Sequence, residues 1–249
     1  ETNCFESDRY LRGFFDDGSP LGSEKCDECK IDMLTQAFSV LCGKEEKPSE
    51  RAITAMNTAV RKLCDYGNEV VKLLSPPFDK TSRSPGYIMG YPPGIRENGG
   101  QYTHAAVWGA IALADMGESE LSCRLLKMIN PALKSDRSLA RYGAEPYVLA
   151  GDVGSVGRNA GRGGWSWYTG AAGWYRTAVI SHLCGHRESG GGFYVSPALS
   201  AELRGFSLEV VKGKSRYRVS VSEGKENAVV LDGSVISSGE AVGNTVFYP

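Results

Sequence analysis

The sequence predicts a mainly α-helical chain that ends in a small antiparallel β-sandwich module. Three observations carry this reading. Apolar residues recur at helical spacing in successive segments between residues 27 and 183, and long loops rich in Gly and Pro separate them. From Gly190 the texture changes to short apolar runs divided by Gly, Lys and Asn turns. About six helices joined by long loops do not describe a simple bundle; they amount to half of a twelve-helix toroid. The expected organisation is a partial toroid over 1–189 and a β module over 190–249.

Composition narrows the classes. With 41% hydrophobic and 23% charged residues and a formal net charge of -1, the chain offers no basic surface for nucleic acid or an anionic membrane. No apolar run approaches the roughly 20 residues that span a bilayer. The N-terminus has neither the basic n-region nor the apolar h-region of a signal peptide. Seven cysteines at irregular spacing imply reduced thiols and a cytoplasmic setting. Cys26-Asp-Glu-Cys29 lacks the second pair that a zinc site needs, so no metal is expected. The chain begins without Met and enters Tyr10-Leu-Arg-Gly-Phe-Phe-Asp-Asp-Gly almost at once, so it is expected to be a fragment.

Taken in order, residues 10–23 read as a short extended segment turning at Asp17-Gly-Ser-Pro20. Ile31, Leu34, Ala37, Phe38 and Leu41 predict a helix over Asp27–Leu41, stopped by Gly43. Ser49 caps a longer helix expected to run to Leu74, where Pro76-Pro77 ends it. Residues 75–100 form a long loop whose tyrosines favour a functional role. Helices follow over Tyr102–Met116 and Ser119–Ile129, with a short helical stretch near Tyr147–Ala150. A last helix runs from Thr169 to a C-cap at Gly185. Strands are expected at Phe193–Val195, Phe206–Val211, Tyr217–Val221, Ala228–Leu231 and Thr245–Tyr248.

Chemistry concentrates in Gly161–Trp174, which holds five glycines, three tryptophans and Tyr168. Glycines admit close backbone approach, and aromatic faces suit sugar rings. Thr169 stands at an N-cap with Gly170 in the first turn, a helix start suited to an anion. A glycine-rich loop with aromatic core residues reads the same stretch equally well. His104 lies where the functional-looking loop meets a helix, with Arg96 and Glu97 upstream; a structural histidine is the other reading. His182 and His186 flank a predicted helix end. Glu145 and Asp152 could act as acid and base in glycoside cleavage or as ordinary capping and pairing groups.

Asp16-Asp-Gly-Ser-Pro-Leu-Gly-Ser23, Glu28-Cys-Lys-Ile-Asp32, Asn98-Gly-Gly-Gln-Tyr-Thr-His104, Glu145-Pro-Tyr-Val-Leu-Ala-Gly-Asp152 and Gly161–Trp174 together resemble glycoside hydrolase family 94, the cellobiose phosphorylase-like family. The resemblance is in particular to the phosphorylase-like C-terminal region of cyclic β-1,2-glucan synthases and to 1,2-β-oligoglucan phosphorylases. It covers residues 10–187 in order and extends loosely through the β module.

The resemblance implies an (α/α)6 barrel followed by a β domain, and inverting phosphorolysis of a β-glucoside to α-glucose 1-phosphate. It assigns phosphate to His104, Thr169 and Gly170, and sugar hydroxyls to Arg96 and Glu97; Trp165 and Tyr168 would shape the glucose pocket. Inorganic phosphate is the co-substrate, and no further cofactor is implied. The family's general-acid Asp, in a Gly-Asp-Trp-Asn-Asp-like motif, and a phosphate-binding Arg are expected upstream of this chain. Gly151-Asp152 stands where cellobiose-type members carry a Gln, which favours the β-1,2 branch. The expected partners are a β-glucan oligosaccharide and phosphate, within a standalone enzyme or a larger membrane-associated synthase. The apolar seam of half a toroid implies a homodimer or a poorly stable chain. A non-catalytic carbohydrate-binding module and a hydrolase using Glu145 or Asp152 are the competing readings.

Overall fold

The helix read between Tyr102 and Met116 is the centre of the first unit. In a computed structural model, which describes residues 4–43, 47–167, 169–189, 192–224, 228–232, 234–238 and 246–248, the chain divides into two units, Glu1–Arg176 and Thr177–Pro249. The helices of the first unit are α1 (Met33–Leu41), α2 (Glu50–Leu63), α3 (Thr103–Asp115), α4 (Ser119–Ile129), α5 (Asp136–Tyr142) and α6 (Thr169–Thr177). α3 is apolar nearly all round, as a helix enclosed by others must be. It packs between α1 and α4, and α1 packs on α2. α2 and α4 instead bury one stripe each, Ala52–Met56–Ala59–Leu63 and Ser122–Leu125–Leu126–Ile129. The Ser122 hydroxyl donates to Ala110 O at 2.7 Å, pinning α4 to α3.

Two helix boundaries differ from the periodicity because a polar side chain overrides it. α1 begins at Met33 rather than Asp27. Asp32, wholly buried, accepts the Thr35 N–H at 3.1 Å as N-cap and pairs with Arg12. Ile31–Asp32 then pairs with Leu74–Ser75 as a short antiparallel ladder. α2 ends at Leu63 rather than Leu74. The Asp65 carboxylate takes the Asn68 N–H at 3.0 Å and its amide at 2.9 Å, closing a turn in which Cys64–Asp65 pairs with Val70–Val71. The stretch near Tyr147–Ala150 is not helical. The helix there is α5, capped by Ser135 and stopped by Gly143 at φ 64.

In the second unit, Ala178–Leu183 forms a π-helical stretch and Gly185 turns the chain at φ 72. His182 and His186 flank the end of that stretch, and His186 opens a strand: His186–Ser189 pairs with Gly192–Val195, and Val246–Tyr248 adds a third strand. Gly205–Lys212 pairs with Ser215–Ser222 in a full-length hairpin. Phe193, Val195 and Val219 are buried together, with Leu208, Val210, Tyr217 and Val221 packed on them, so two antiparallel sheets share one apolar cluster. A further hairpin pairs Ala228–Leu231 with Ser234–Ser238.

Candidate functional site

Asn98 builds one wall of the site. It is fully buried, accepts the Phe78 N–H at 2.7 Å, and donates to the carbonyls of Phe78 and Tyr91 at 2.8 Å each. One amide thereby fixes both ends of the loop between Phe78 and Tyr91. Gln101–Tyr102 pairs with Asp152–Val153, and Thr103 N–H donates to Gly151 O at 3.0 Å. These bonds bring the 94–104 segment against the 150–165 segment.

The second wall is the glycine-rich stretch. The Tyr142 hydroxyl donates to Val148 O and accepts from Ala150 N–H, both at 2.9 Å, which shapes Glu145–Ala150. Asp152, 4% exposed, accepts the Trp165 N–H at 3.1 Å on Oδ1, and its carbonyl takes the Gly164 N–H at 2.8 Å. A Cβ on Gly164 would fall 2.5 Å from Asp152 Oδ1, so this close approach requires glycine.

Between the walls lies a cavity of about 50 Å³, lined by Arg96, Tyr102, His104, Gly151, Asp152 and Trp165. That volume admits a small anion or a few waters. Arg96 stands at φ 48, a backbone conformation uncommon for a side-chain-bearing residue. Its guanidinium lies 4.4 Å over Trp165 and 5.4 Å over Tyr91, and Nε meets Glu97 Oε2 at 3.3 Å. Burial pulls the Arg96 pKa down, but the hydrogen bond and charge of Glu97, with Tyr91 and Asp152, raise it above its ordinary value. Arg96 is therefore a fixed cation.

His104 stacks on Tyr102 with ring centroids 5.6 Å apart and 25° between planes. Burial holds its pKa below the ordinary histidine value, so the ring is neutral at pH 7 and offers one N–H. A Cβ on Gly170 would fall 2.8 Å from Nε2, which places that nitrogen against the first turn of α6. α6 begins at Thr169, and its leading N–H groups lack intrahelical partners.

The structure thus gathers Arg96, His104, Trp165 and Gly170 within one neighbourhood, with Glu97 joined through Arg96 and Thr169 at the head of α6. Tyr168 lies outside the described residues. The sequence gives Tyr102, which packs on the site, no role, and offers Asp152 as a catalytic acid or base or as a capping and pairing group. The spacing of two residues from His104 to Tyr102 carried no signal, because the stack depends on the strand-to-helix turn between them. Glu145 is half-buried and accepts the Trp167 Nε1–H at 2.9 Å; Tyr147 meets Trp167 edge-on at 6.4 Å. Tyr147, Trp165 and Trp167 are 74%, 50% and 66% exposed, and of these rings Trp165 lines the cavity. Cys29 is buried, and burial pushes its thiol up to about 12, so it supplies no thiolate at neutral pH. No cluster of His, Cys, Asp and Glu able to hold a metal occurs among the described residues, and none of their helices is long and apolar enough to cross a membrane.

Comparison with known proteins gives the same region an identity. A cyclic beta-(1,2)-glucan synthase, NdvB of Rhizobium meliloti (strain 1021), is 42% identical over 224 residues, covering 89% of this chain and 8% of the synthase. A solabiose phosphorylase of Paenibacillus borealis is 28% identical over 98% of the chain and 31% of its own length. An N,N'-diacetylchitobiose phosphorylase of Vibrio furnissii is 27% identical over 94% of the chain and 28% of its own length. The chain therefore spans less than a third of each of these relatives. The family model for the glycosyl hydrolase 94 superfamily catalytic domain matches residues 1–185, and the chain belongs to that superfamily.

Proposed function

We propose that this chain forms the phosphate side of the catalytic domain of an inverting glycoside phosphorylase acting on β-1,2-glucan or a related β-glucoside. The observation that carries the reading is the meeting of His104 Nε2 with the first turn of α6 at Gly170, beside the cavity that Arg96 also lines. An imidazole N–H, the unpaired N–H groups of a helix start and a nearby guanidinium together make an anion site. The volume between the walls matches phosphate better than a sugar ring, and the exposed aromatic rings suit the glucosyl face.

In the reaction, a phosphate oxygen forms a bond to the anomeric carbon as the glycosidic C–O bond breaks on the opposite face. The departing oxygen takes a proton from a carboxylic acid, and the product is α-glucose 1-phosphate. His104, Thr169 and Gly170 would orient the phosphate; Arg96, Glu97, Trp165 and Tyr168 would hold the sugar. The general acid belongs to a segment outside this chain, so the chain alone is inactive in this reading. Completion of an (α/α)6 barrel, dimerisation, a cytoplasmic location and membership of a larger membrane-associated synthase are parts of the same proposal. It draws support from the likeness to a cyclic glucan synthase and to disaccharide phosphorylases.

The test is phosphate-dependent release of glucose 1-phosphate from sophorose by the intact protein that carries this chain. Gly170→Ala should raise the KM for phosphate about tenfold while changing that for glucan less than twofold, because the new methyl displaces His104. Release of free glucose without phosphate would establish a hydrolase instead.

A further inference from the structure

The contacts around His104 extend beyond the cavity into a run of aromatic rings that the phosphate reading leaves unexplained. Trp108 follows His104 by one turn on α3, so both side chains project from the same face. Their ring centroids are 5.6 Å apart at 49°. Trp108 is clamped in turn from two other helices. Phe38 of α1 meets it edge-on at 5.2 Å and 85°, and Trp174 of α6 meets it edge-on at 5.5 Å and 80°. Its indole Nε1 is buried and makes no hydrogen bond among the described residues. Ring packing therefore sets its position.

This arrangement acts on both partners of the anion site at once. Trp108 presses on the imidazole from one turn below, while Tyr102 stacks on it at 5.6 Å. Through Trp174, the same indole spaces α3 from α6, the helix whose first turn faces His104 Nε2. A histidine near a helix start otherwise rotates about two side-chain torsions, and each rotamer moves Nε2 by ångströms. Rings packed on it remove that freedom before any ligand arrives, and such preorganisation is worth up to about a hundredfold for a displacement near 1 Å.

We propose that Trp108 is a positioning residue for His104: it holds the imidazole with Nε2 against the first turn of α6 and fixes the spacing between the two elements that grip the anion. The role belongs to the ring and not to the N–H, so phenylalanine should replace it and an aliphatic side chain should not. The inference rests on the reading of this site as a phosphate site for its kinetic consequence, but not for its geometry.

The experiment compares Trp108→Leu and Trp108→Phe in the intact protein. Kinetics use inorganic phosphate and sophorose. Separately, NMR of labelled histidine follows the His104 Cε1–H, assigned among the three histidines with His104→Gln. Trp108→Leu should raise the phosphate KM about tenfold, leave the sophorose KM within about twofold, and remove the ring-current displacement of the His104 proton. Trp108→Phe should restore the phosphate KM to within about threefold of the parent. An unchanged phosphate KM in a folded Trp108→Leu, or a Trp108→Phe as impaired as the leucine variant, overturns the assignment. If the parent protein shows no phosphate dependence, the phosphorylase reading fails by itself. The NMR displacement then decides the positioning role alone, and an unmoved His104 resonance in Trp108→Leu rejects it. Should the leucine variant not fold, Trp108→Phe carries the test through the same two readouts.

Discussion

The loop from Pro76 to Gly100 and the loop from Gly161 to Trp167 look alike in sequence, both rich in glycine and aromatic residues, yet the protein uses them in opposite ways. The first is held from inside. Buried Asn98 satisfies one N–H and two carbonyls of its own loop, and the Ser155 hydroxyl donates to Gly99 O at 2.7 Å. The second is held from beneath by backbone bonds and one carboxylate, Asp152, while Trp165 and Trp167 face outward. A buried amide makes a scaffold, and a row of backbone bonds with rings on top makes a display surface. The cavity forms where the two kinds of loop meet, because ligand contact needs exposed groups on a frame that does not move.

Substitutions can break this contrast, and the largest effect is expected at Asn98. Asn98→Ala leaves a buried donor and two buried carbonyls without their partner and should cost about 3 kcal/mol, read as a lower urea midpoint. A midpoint that does not move would show that the first loop is not held by this amide. Asp152→Ala should cost less, about 2 kcal/mol, since only the Trp165 N–H and local packing lose their acceptor. Loosening of Trp165 should then weaken sugar binding as well, and calorimetry with sophorose would reveal it. Trp167→Ala should alter stability by no more than about 0.5 kcal/mol, because the ring is exposed, yet weaken glucan binding several-fold. A thermal shift as large as that of Asp152→Ala would mean that Trp167 is part of the frame.

The smallest effect concerns pH. His104 titrates below its ordinary value in the folded chain because burial disfavours the charged ring, so the unfolded chain takes up its proton first as pH falls. Stability should therefore decline as pH drops below about 6.5, and His104→Gln should flatten that decline. An equal slope in both proteins would assign the loss to other groups.

Much of the helical layer was legible from residue spacing alone. Thr103–Asp115 and Ser119–Ile129 lie where apolar periodicity put them, and Gly43 marks a real end. Two failures share one cause. At Asp32 and Asp65 a short acidic side chain bonds the backbone nearby, and a local bond of that kind ends a helix whatever the periodicity beyond it. The five ordered motifs identified the superfamily, and the family match over 1–185 agrees. At the site, spacing suggested His104 and Gly170 as separate candidates. The one-turn spacing puts Trp108 beside His104 on α3, but it gave no sign that Tyr102 stacks on the imidazole or that Phe38 and Trp174 clamp Trp108, since these contacts join a strand end and two other helices.

The sequence by itself determined the local choices: which stretches coil, where the glycines permit close approach, and which motifs mark the superfamily. Those follow from propensity, periodicity and residue identity, all short-range properties of the chain. Only the tertiary structure decided that one glycine-rich loop hangs on a buried amide and the other displays exposed aromatic rings. The family resemblance set His104 and Gly170 on one phosphate, and the tertiary structure brings His104 Nε2 against Gly170 across 66 residues of chain. Burial and ring packing are set by what arrives from elsewhere in the fold, and no local pattern records them.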